Sequence, residues 1–72
     1  MKTILIKSCI RELRARYNLT QEQLAEMVEA RRETIGHIES SRYNPSLILA
    51  YKIARALKSS LEEVFTFEEV IK

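Results

Sequence analysis

Residues 20–47 read TQEQLAEMVEARRETIGHIESSRYNPSL, and two short helices are legible in them. Thr20 followed three residues later by Gln23 has capping-box spacing: the hydroxyl accepts from an orphan amide, and the glutamine side chain accepts from the cap's own N–H. A helix is therefore expected to start at Gln21, with Leu24, Ala25 and Val28 as its buried stripe. The apolar period breaks at Glu29 and Ala30 and resumes with Ile35 and Ile38, which predicts a second helix over residues 32–40. With only about three residues between them, two such helices must cross steeply.

Outward from this pair, Ile6, Ile10, Leu13 and Tyr17 recur every three to four residues and predict an earlier helix over residues 7–17. Asn18 is suited to end it, because asparagine tolerates the left-handed conformation. Downstream, the turn chemistry of residues 40–45 gives way to Ser46, an N-cap for a long helix with Leu47, Ala50, Ile53, Ala54 and Leu57 on its inner face. Ser60 and Glu63 repeat the capping-box spacing before a short helix over 61–64. Phe65, Thr66 and Phe67 alternate aromatic with β-branched residues and predict a short terminal β-strand. The expected fold class is all-α: a compact bundle of five helices, with that strand at its end.

Length and composition agree with one small domain over residues 1–72. The chain has 72 residues, 46% hydrophobic and 31% charged, too apolar for disorder and large enough for a single modest core. One glycine and one proline leave little turn punctuation, which favours helix. Cys9 is the only cysteine, so an internal disulfide and a thiolate metal cluster are both excluded. No apolar run approaches the roughly 20 residues of a membrane span, and a cytoplasmic location without membrane contact is expected. Charge is uneven. Residues 1–58 hold eleven of the twelve Lys/Arg against six glutamates, a net +5, whereas residues 59–72 hold Lys72 against four, a net −3. A basic body with an acidic tail, residues 66–72, fits a phosphate-rich partner.

In LTQEQLAEMV (19–28), RRETIGHIE (31–39), RYNPSL (42–47) and LAYKIARAL (49–57), the chain resembles the Xre/Cro family of lambda-repressor-like helix-turn-helix DNA-binding domains. The resemblance covers nearly the whole chain, with the helix-turn-helix unit at about residues 20–40. It implies a five-helix domain that binds double-stranded operator DNA, usually as a two-fold dimer, and regulates transcription, here as a small repressor.

The residues themselves suit that role. A recognition helix lies in the major groove, about 12 Å wide, and presents the side chains near its N-terminus to base edges. Outward of Ile35 and Ile38 fall Arg32, Glu33, Gly36 and His37, with Thr34 at the flank; these are the expected base readers. Arg32 can donate twice to guanine N7 and O6, Glu33 can accept from cytosine N4, and His37 can reach a base or a phosphate. Phosphate contacts are expected from Gln21, first in its helix, and from Arg31, Ser40, Arg42, Tyr43 and Asn44, at or near positions the family uses to clamp the backbone. The family also pairs the positions of Arg14 and Glu39, which implies a structural ion pair locking the recognition helix to the first helix.

This chain departs from the family at the turn. Glu29, Ala30 and Arg31 stand where Gly-Val-Ser is common, so Glu29 must adopt a glycine-like conformation at about 1 kcal/mol, and Arg31 cannot cap as serine would. Ser41 replaces another usual glycine, and Gly36 inside a helix is unfavourable by roughly 0.5 to 1 kcal/mol against alanine.

Apolar residues beyond the needs of five helices point to an interface. Ile48 and Tyr51 on the fourth helix, with Phe67, Val70 and Ile71 in the tail, suit a homodimer that sets two recognition helices about 34 Å apart. The same surface would also serve a protein-protein adapter or an antitoxin-like module. Catalysis is not expected: one histidine, no aspartate and no glycine-rich loop provide no nucleophile-base pair. No cofactor, metal or small-molecule effector is implied.

Overall fold

The computed structural model describes residues 2–71. Its elements run β1 (Lys2–Ser8), α1 (Ile10–Arg16), α2 (Gln21–Met27), α3 (Arg32–Glu39), α4 (Leu47–Ala56), α5 (Leu61–Val64) and β2 (Phe65–Ile71). The five helices stand where periodicity and capping place them, but the fold is not purely all-α. The strand expected at Phe65 extends to Ile71 and pairs antiparallel with β1, Ser8 opposite Phe65 and Lys2 opposite Ile71. Most of the acidic tail is therefore strand; residue 72 lies outside the described residues.

The first helix is shorter than its apolar spacing suggests. Residues 7 and 8 belong to β1, and the helix begins only at Ile10. Ile6, Ile10 and Leu13 do sit three to four residues apart, yet Ile6 reaches the core margin from a strand. The β-branched run Thr3, Ile4 and Ile6 prefers the extended backbone once β2 supplies the other half of the ladder. Tyr17 is the C-cap rather than a core residue, its ring lying 5.6 Å from Lys58 Nζ. Leu47 is a second correction: it is 76% exposed, and the inner stripe of α4 begins at Ala50.

Among the described residues thirteen side chains make the core, with Ile10, Leu24, Ile35, Ile53, Leu57 and Val64 at 0% exposure. Each such side chain contributes about 1.5–3 kcal/mol of burial before conformational entropy is offset. All five helices contribute, so α3 is held from behind by Ile35 and Ile38. Among the described residues four positions carry positive φ without glycine: Asn18, Glu29, Ser41 and Lys58. Each follows a helix end, and at each of those ends an amide folds back on the last turn, as Ala30 N does on Ala25 O at 2.9 Å.

Candidate nucleic-acid interface

Helix α2 starts on a complete capping box. Gln23 N donates to Thr20 Oγ1 at 3.0 Å and Thr20 N donates to Gln23 Oε1 at 2.9 Å. After the Glu29 turn, α3 is anchored by Ile35 and Ile38, and helical geometry then fixes what faces outward. Arg31, Arg32, Glu33 and His37 are exposed, while Thr34 and Gly36 are half-buried at the flank. Arg31 is the N-cap and makes no side-chain cap bond. Ser40, Arg42, Tyr43 and Asn44 continue the exposed surface beyond the helix. Ser40 Oγ donates to His37 O at 3.2 Å, so its hydroxyl must rotate before it can donate elsewhere.

This face carries positive charge without ion pairing, as Arg16, Arg55 and Lys58 also do elsewhere among the described residues. Among the described residues, none of Arg31, Arg32 and Arg42 has a carboxylate within 4.0 Å. The carboxylate of Glu29, the charge placed least comfortably by the turn, is met by Lys52 Nζ of α4 at 3.1 Å. Glu33 is the one acid on the outward face of α3.

Behind the face lies an ion pair. Arg14 Nε donates to Glu39 Oε2 at 2.7 Å and Arg14 Nη1 donates to Leu19 O at 2.8 Å. Glu39 is 3% exposed, and its other oxygen accepts from Gln21 Nε2 at 3.0 Å. One carboxylate thus ties α1, α2 and α3 together. Gln21, placed in the sequence by its position at the helix start, is therefore also a brace, half-buried against Gly36.

Two participants escaped the sequence reading. Arg11 Nε stands 3.9 Å from Glu39 Oε1, and Lys52 pairs with Glu29. The three-residue spacing of Arg11 and Arg14 on one helix face could have revealed the first. The second joins residues 23 apart, and no local pattern marks it.

The five apolar tail and α4 residues do not form one patch. Phe67 and Ile71 lie on the ribbon face that also carries Ile4 and Ile6, whereas Val70 lies on the opposite face with Leu5. Ile48 and Tyr51 are exposed on α4. Between ribbon and α4 runs an open apolar groove of about 480 Å³, lined chiefly by Ile6, Pro45, Leu47, Ala50, Leu61, Phe65 and Phe67. None of the described helices is long and apolar enough to cross a membrane.

Comparison with known proteins agrees with this geometry. The helix-turn-helix family pattern matches residues 10–64, which take in all five helices and leave both β1 and β2 outside. The chain is 52% identical over 64 residues to an uncharacterized HTH-type transcriptional regulator of Archaeoglobus fulgidus, covering 89% of this chain and 90% of that one. It is 38% identical over 63 residues to an immunity repressor protein of Bacillus phage phi105, covering 88% of this chain and 44% of the repressor. The restriction-modification controller protein C.AhdI from Aeromonas hydrophila has a crystal structure similar to this fold, with a TM-score of 0.71 at 37% identity over 75% of this chain and 82% of that one. Five helices, a braced α2–α3 pair and a match across all of them place the chain in the Xre/Cro-like helix-turn-helix family of DNA-binding transcriptional regulators.

Proposed function

We propose that the protein recognises a specific double-stranded operator by laying α3 in the major groove, and that it acts as a small repressor. What carries this reading is the orientation of α3: its apolar pair is sealed inside, and the remaining edge offers unpaired arginines and a histidine to solvent. In this reading Arg32, Glu33, Thr34, Gly36 and His37 address bases, each good bidentate pair discriminating by about 1–3 kcal/mol. Arg31, Arg42, Tyr43 and Asn44 address phosphates, as does Ser40 once its hydroxyl turns. Gln21 does so with the amide proton that Glu39 leaves free. The domain over residues 1–72 works as one unit, its ribbon carrying no net charge because Lys2 and Lys7 pair with Glu69 and Glu68.

A two-fold operator would call for a homodimer, and the exposed apolar side chains Ile48, Tyr51, Phe67 and Ile71 supply a surface for it, with Val70 on the other ribbon face. The same exposure favours a second reading, an adapter or antitoxin-like module that uses the ribbon face against another protein. Sedimentation separates the two, since a monomer at tens of micromolar favours the adapter.

Selection of bound duplexes from a random pool tests the main reading. The expected result is a motif with two-fold symmetry. Arg32→Ala should relax preference at one position per half-site, while Arg42→Ala weakens all sequences alike. Uniform weakening by both substitutions would remove Arg32 from base reading.

A further inference from the structure

Where α1, α2 and α3 meet, positive charge is left over. Glu39 accepts from Arg14 at 2.7 Å and from Gln21 at 3.0 Å, and the Arg14 side chain, only 14% exposed, is committed to that carboxylate and to Leu19 O. The single negative charge is thereby matched. Arg11, one turn earlier on α1, brings Nε to 3.9 Å from the same Oε1 that Gln21 uses, yet its side chain is 77% exposed. A guanidinium carries five N–H donors, and a contact of that length leaves the outward-facing ones unspent. Gln21 in turn lies against Gly36 of α3, where a Cβ would stand 3.6 Å from Gln21 Nε2. Arg11 therefore borders the outward face of α3 on its α1 side.

We propose that Arg11 and Gln21 together seat one phosphate of the duplex backbone, an inference that rests on the reading of α3 as the groove-binding helix. Arg11 supplies charge and a planar fork of donors; Gln21 supplies the amide proton that Glu39 does not hold. The buried Arg14–Glu39 pair holds Gln21 from behind, so that half of the seat exists before DNA arrives, while the exposed Arg11 side chain orders on binding. A phosphate contact of this kind carries no base information and sets affinity and register.

The test is the salt dependence of binding of the full chain to a duplex, followed by fluorescence anisotropy between 50 and 200 mM salt, for the native protein, Arg11→Gln, Arg11→Lys and Arg42→Gln. Loss of one phosphate contact lowers the log–log slope by about 0.9, so the advantage of the native protein over Arg11→Gln should shrink about 3.5-fold across that range. Arg11→Lys should keep the slope, and the base preference of both variants should match that of the native protein. Because Arg11 is exposed, the melting temperature of Arg11→Gln should stay close to the native value. An unchanged slope in Arg11→Gln beside a lowered one in Arg42→Gln would overturn the seat while leaving the reading of α3 intact. A lowered melting temperature with weaker binding at the native slope would reduce Arg11 to a structural prop and overturn it equally. Absence of any salt-dependent duplex binding by the native protein would overturn the α3 reading itself.

Discussion

Glu29 holds the turn between α2 and α3 at φ 59°, a conformation in which an L side chain crowds its own backbone. Glu29→Gly should raise stability by about 1 kcal/mol in urea denaturation, since the ion pair it gives up is carried by a side chain 81% exposed. Gly36 poses the converse question. Alanine there would meet Gln21 at ordinary van der Waals distance, so nothing inside the molecule demands glycine. Gly36→Ala should therefore gain about 0.5–1 kcal/mol in thermal unfolding. If backbone lies close to the groove floor at this point, the same variant loses operator affinity, and a stabilised variant with native affinity would exclude that closeness. Asn18, Glu29 and Ser41 were legible as special turn positions, by residue type or by contrast with the family's glycines. Lys58 was not, because lysine carries no turn chemistry and only the end of α4 imposes its φ of 54°.

Capped helices are readable because a cap is a local device: Thr20 with Gln23 and Ser60 with Glu63 each announce a start within four residues. Thr20→Ala should cost about 1 kcal/mol and loosen the first turn of α2, measurable as faster amide exchange at Gln23. The Ser60 backbone amide and hydroxyl hold the Glu63 carboxyl below its ordinary pKa. A depressed carboxylate favours the fold while ionised, so the α5 cap should be intact at neutral pH and weaken as pH falls through the folded-state value; Glu63→Gln should flatten that acid limb of the stability curve. The brace of α3 is the costliest element to break. Arg14→Met leaves Glu39 buried without its cation and should destabilise by about 3–5 kcal/mol in chemical denaturation. What sequence spacing could not reveal is β1, whose apolar residues fit a helical period as well as an extended one. A strand is settled by its partner, and that partner stands at the other end of the chain.

Across the whole molecule, exposed apolar side chains concentrate on the ribbon in Ile4, Phe67 and Ile71, where the glutamates pair with Lys2 and Lys7, while Arg31, Arg32 and Arg42 beside α3 have no carboxylate partner among the described residues. Phe67→Asp should shift sedimentation of the chain towards monomer and lower operator affinity by loss of the second half-site, without altering the base preference of one half-site. An unchanged sedimentation coefficient would move the dimer contact to α4. The ribbon has a further consequence. Its two strands come from opposite ends of the sequence, so closing it brings together the most distant parts of the chain, and a lone pair of strands is weakly held. The helices, built from near neighbours, are free to assemble first. Opening should run in the reverse order, with the paired ends peeling apart as a separate unit while the bundle stays shut, in the manner of a zip fastened last and undone first.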